Sequence, residues 1–157
     1  MKTVKKLVTI VSLFIALGFA ANAQTSATET KESLFKKLTT SHNSASEHAK
    51  KISSGTAKTT AEQKTATEAA GKHLESAKAT HQKLKTTIPG DKREAARIHH
   101  DAIDKHHSAA ALRHKDLTME LSKTVPDETK VKLHATEFDK EMANAEKEHQ
   151  SLQKAVK

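Results

Sequence analysis

Between Ala96 and Leu121, alternating steps of four and three pick out Ala96, His100, Ile103, His107, Ala110, His114, Leu117 and Leu121. This is a heptad seam, the spacing that lines one face of a helix and turns it toward a partner. Three successive turns place histidine where a core ordinarily takes an aliphatic side chain. The ring nitrogens of such imidazoles must be solvated, hydrogen-bonded, protonated or ligated to metal. Imidazole suits zinc, copper and nickel, so ligation is the reading with most functional content. His99 and His106 border the same stripe, and the chain holds 11 histidines in all.

Four helices must position these side chains. The first is expected over about residues 29–53, with Leu38, Ala45 and Ile52 repeating at seven and Phe35, His42 and Ala49 alongside. Ser26-x-x-Glu29 resembles a capping box, and Gly55 suits the left-handed position after the helix. The second is expected over about residues 60–87, opened by a box at Thr59-x-x-Glu62. Its seam is Ala66, Ala70, Leu74, Ala77, His81, Leu84 and Ile88. Pro89-Gly90 breaks it. The third, about residues 91–123, carries the histidine seam, and Asp91-x-x-Glu94 again fits a box. The fourth, about residues 127–155, follows Val125-Pro126 with Val131, Ala135, Phe138, Met142, Ala145, His149, Leu152 and Val156. No alternating run signals a strand. An offset of 35 aligns Ile103-Asp104-Lys105 with Phe138-Asp139-Lys140 and His114 with His149, which suggests a duplication.

Short turns between long helices predict an all-α fold, an antiparallel up-down-up-down four-helix bundle. The alternative is a long helical hairpin that completes its core as a homodimer. Residues equally distant from a turn face one another in antiparallel neighbours. Counting outward predicts three polar layers. One gathers His81, His100 and His149, with His99 nearby. The second gathers His73 and His107, with His106, His42, Glu68 and Glu141 in reach. The third gathers His48, His114 and His134, with Glu62 and Glu137 as carboxylates. The candidate metal ligands are therefore His48, His81, His100, His107, His114, His134 and His149. His42, His73, His99 and His106 read as border residues. No HExxH and no histidine pair at i, i+4 is present, so any site must be built between helices.

The ends and the composition bound the function. Lys2, Lys5 and Lys6, the apolar run 7–21 and Ala21-Asn22-Ala23 form a signal-peptide pattern over residues 1–23. Residues 24–28 form a polar arm expected to be disordered, and 29–157 a single domain. A periplasmic location is expected, with secretion as the alternative and no membrane insertion after cleavage. Removing the three leader lysines lowers the net charge from +8 to +5. Nucleic acid is a poor partner, because no tyrosine or tryptophan is present to stack bases. The absence of cysteine excludes disulfides, thiolate metal sites and thiol catalysis. Without CxxCH or a phosphate loop, neither haem nor nucleotide is expected. No nucleophile–base set or paired-carboxylate signature suggests an enzyme.

The expected function is an exported bundle that binds, buffers or stores zinc, copper or nickel in histidine layers between helices. The alternative is a periplasmic stress or chaperone-like protein without metal, or one that responds to pH through its histidines. The thin Ala/His seams bury little apolar area, so a bound ion would add appreciably to stability.

Overall fold

The computed structural model describes residues 29–157. The expected leader and arm lie outside the described residues. Helix α1 spans Lys31–Ser53, α2 Thr60–Thr87, α3 Arg93–Leu121 and α4 Glu128–Ala155. Each start and stop follows from local chemistry. Thr30 caps α1, its hydroxyl accepting from Ser33 N at 3.1 Å. Glu29 pairs instead with Lys37 and Lys83. Gly55, at φ +74°, lets the chain leave α1 and bring Ala57 N to Lys51 O at 2.8 Å. The Thr59–Glu62 capping box is formed, and Asp127 caps α4 by accepting from Thr129 N and Lys130 N.

The box expected at Asp91 does not form. Gly90–Lys92 make one 3-10 turn after the extended Pro89, so α3 begins behind Lys92 without a side-chain cap. The amide Lys92 N donates to Pro89 O at 3.1 Å, and this bond replaces the box.

The four helices form a ring in chain order, each packed on its two neighbours, with α1 opposite α3 and α2 opposite α4. The bundle closes within one chain, which sets aside the hairpin alternative. Among the described residues there is no strand, and no helix is long and apolar enough to cross a membrane. Leu34, Leu38, Leu74, Leu84, Ile103, Phe138, Met142 and Leu152 fill the main core, with Ala45, Ala77 and Ala110 between them. A smaller aliphatic cluster of Ile52, Leu117, Leu121 and Val131 closes one end. The seam between α2 and α3 is the loosest of the four.

Candidate metal centre

One polar layer crosses the main core and takes an imidazole from every helix. His149 of α4, His42 of α1, His107 of α3 and His81 of α2 are all almost fully buried. Their rings follow one another at centroid separations of 5.8, 5.1 and 5.7 Å. His100 continues the series, 4.9 Å from His81. Buried polar groups need partners, and the hydrogen bonds here form two strings, His107–His42–Glu146 and His100–His81–Asp104, with His149 bonded separately. His42 Nδ1 lies 2.9 Å from Glu146 Oε2, and its Nε2 lies 2.8 Å from His107 Nε2. His81 Nδ1 lies 3.0 Å from Asp104 Oδ1, and its Nε2 lies 2.8 Å from His100 Nδ1. His149 Nε2 donates to Phe35 O at 3.0 Å.

The carboxylates order the protons. Glu146 accepts from His42 Nδ1–H, and in that tautomer His42 presents a bare Nε2. His107 Nε2–H donates to it, which leaves the His107 Nδ1 lone pair free. That atom is buried and has no hydrogen-bond partner. By the same logic Asp104 accepts from His81 Nδ1–H, and His100 Nδ1–H donates to His81 Nε2. Thr39 Oγ1 and Gln150 Nε2 both donate to Glu146 Oε1, which fixes this carboxylate from the other side.

Electrostatics disfavour the charged form of four imidazoles of the layer, His81, His100, His107 and His149. Burial pushes His107 down to about 3 and His81 down to about 4. For His107, neighbouring His42 and His81 add to the effect; for His81, Asp104 opposes it. Burial also lowers His100 and His149. Burial works against the Glu146 carboxylate, but hydrogen bonds from His42 and Gln150 outweigh it and hold its pKa below the ordinary value.

Within this layer His81, Asp104 and His107 each offer one ligand atom, and these atoms lie within 4.8 Å of one another. Around a tetrahedral ion with bonds of ~2.0–2.1 Å, donors stand about 3.4 Å apart. Small side-chain rotations therefore suffice to close the triad on an ion. Two imidazoles and a carboxylate form a donor set that zinc, copper(II) and nickel(II) accept. The second nitrogens of both histidines are already held, by His42 and by His100. Such outer partners orient ligands in metal sites.

The sequence-derived layers are regrouped. His81 and His100 meet as expected, but His149, at the far end of the layer, contacts His42 and neither of them. It turns to Phe35, because α4 and α2 are diagonal in the ring. His107 meets His42 and His81 rather than His73. The third layer does not assemble. His48 stacks on His73 at 5.6 Å, and burial lowers its pKa with help from Lys51. His114 Nε2 lies 3.0 Å from Thr67 O. His134 lies 3.8 Å from Glu137, which also pairs with Arg113. Glu62 is occupied in capping α2. His99 and His106 sit at the border as expected, paired with Glu148 and Glu141.

His42 is the clearest correction. The expected border residue is 1% exposed and lies at the centre of the layer. Asp104 and Glu146 were not singled out by seam reading, yet their spacing carries a signal. Asp104 stands four residues after His100 and three before His107, on the same helical face. Glu146 stands three before His149. The offset of 35 has a structural counterpart: His114 and His149 each bond a carbonyl of the neighbouring helix and each lie beside a phenylalanine. No protein-family model, no curated protein and no solved structure matches this chain.

Proposed function

We propose that this chain is an exported helical bundle that binds and buffers a transition-metal ion, zinc, copper or nickel, at His81, Asp104 and His107. The observation that carries the reading is the convergence of these three donors within 4.8 Å, with a lone pair of His107 left without a partner inside the core. A buried polar atom without a partner is unfavourable by ~1–3 kcal/mol. A cation at that point removes the penalty. His107 offers a free neutral nitrogen, and His81 need only move its proton from Nδ1 to Nε2, where His100 can accept it, so neither imidazolium must be neutralised before an ion binds near neutral pH.

The role is binding rather than catalysis. The ion would be held between α2 and α3 and would link the loosest seam of the ring. An ion held only by the folded state stabilises it by RT ln(1 + [L]/Kd), or ~2.7 kcal/mol at a hundredfold excess over Kd. For a domain of this size the melting temperature rises by about 10 °C. Elemental analysis of the untagged protein, followed by thermal unfolding with added zinc, copper or nickel at pH 7.5 and pH 5, tests the reading. We expect one ion per chain and a rise at pH 7.5 that persists at pH 5, where folded His81 and His107 remain unprotonated, and that is lost only as the pH falls toward their folded values of about 4 and about 3. A protein free of metal and indifferent to all three ions would refute it.

A further inference from the structure

The carboxylate of Asp104 is shared. Its Oδ1 accepts from His81 Nδ1, and its Oδ2 is paired with the ammonium of Lys85. Lys85 stands one turn after His81 on α2, and Asp104 one turn after His100 on α3. The triad is unevenly exposed. The side chain of His81 is 0% exposed and that of Asp104 39%, so the carboxylate is the ligand that solvent reaches. A pocket of about 340 Å³ between the ends of α2 and α3 is lined by Lys85 and His100, the partners of Asp104 and His81, together with Ile88, Ala96 and Asp101 among others. His100 stands between this pocket and His81. At the rim Arg97 is engaged by Glu94 and Asp101.

We propose that Lys85 is a displaceable latch: its ammonium holds Asp104 until an ion arriving through the α2–α3 pocket takes its place. The inference rests on the metal-binding reading above and specifies how that site is regulated. A carboxylate already paired with one positive charge binds a second cation less tightly, since the first charge neutralises the carboxylate and repels the second across it. Only an ion whose charge and ligand bonds outweigh the ammonium gains the site. Lysine suits this part because its charge is a compact point on a flexible four-carbon stem, free to swing into the pocket when released. The latch lowers affinity and gives the departing ion a competitor. That behaviour fits a buffer that exchanges its cargo and not a store that keeps it.

The test is zinc affinity of the full mature protein at pH 7.5, measured by competition with a chromophoric chelator, with loading rates by stopped flow. The expected result is that Lys85→Met binds zinc at least tenfold more tightly than wild type. Lys85→Arg, which returns a cation to Asp104, should bring the affinity back toward the wild-type value. Lys85→Gln replaces the methionine variant if circular dichroism shows lost helix. If wild type binds zinc and the neutral variants bind no more tightly, the latch is wrong and the metal reading stands. If wild type and every Lys85 variant bind none of zinc, copper and nickel, the metal reading falls and the latch with it.

Discussion

His107 and His114 occupy equivalent places on α3, one heptad apart on the same seam, and meet opposite fates. His107 ends in a layer of imidazoles from all four helices. His114 ends against a glycine and a carbonyl. The difference lies in what faces them. Opposite His107, α1 and α2 supply His42 and His81. Opposite His114, α2 supplies Gly71, where an added Cβ would stand 2.4 Å from Nε2. Gly71 makes room for the ring, and Thr67 O satisfies it. A histidine on a seam is therefore only half a site; the partner helix decides whether it becomes a ligand or a packing residue.

Acid should break the comparison most strongly. The folded pKa values of His107 and His81 are depressed to about 3 and about 4, below the unfolded value of ~6.5. The unfolded chain then binds more protons, so the stability these groups confer is fully present above pH ~6.5 and is lost as pH falls toward their folded values. Between pH 7.5 and 5 these two alone should remove about 4 kcal/mol, at up to ~1.4 kcal/mol per pH unit each. Urea unfolding across this range measures the slope. Replacing His107 and His81 by leucine should flatten it, whereas replacing His114 should leave most of it.

A smaller effect is expected from His42→Leu. It removes the partner of Glu146 Oε2 and of His107 Nε2 in the core, and breaking a buried charged hydrogen bond costs ~3 kcal/mol. His114→Leu releases only a helical carbonyl and should change stability by less than ~1 kcal/mol. Equilibrium urea curves at pH 7.5 separate the two; equal losses would mean that the layer is no more interdependent than the isolated site.

The smallest effect sharpens the other half of the comparison. Gly71→Ala gains ~1 kcal/mol of helix propensity but must displace the His114 ring from Thr67 O. In the wild-type background the variant should lose about 1 kcal/mol. In a His114→Ala background the same change should gain about 1 kcal/mol, and this reversal of sign is the signature of a glycine kept for an imidazole. Thermal unfolding of the four proteins closes the cycle.

The fold was largely legible in the sequence because heptad seams, a capping box and the breaks at Gly55, Pro89 and Pro126 all act locally. The site was legible only in part. His81, His100 and His107 stood out because they replace core residues on their own helices. His42 was misplaced at the border because Leu38 and Ala45 dominate the pattern of α1, while its true environment comes from α3 and α4. Asp104 escaped because a carboxylate between two seam residues looks like solvated surface until Lys85 and His81 are brought to it. Counting from the turns also treats each helix pair as isolated, and a four-membered ring keeps diagonal helices apart except where long side chains reach the axis, as His42 and His107 do.

The central claim is that His107 is a ligand and His114 is not. Calorimetric titration of zinc into untagged protein comprising residues 24–157 at pH 7.5, for wild type, His107→Leu and His114→Leu, tests it directly. The account predicts one ion per chain for wild type and for His114→Leu, and none for His107→Leu, with circular dichroism showing all three helical. Zinc binding that survives in His107→Leu and disappears in His114→Leu would contradict it.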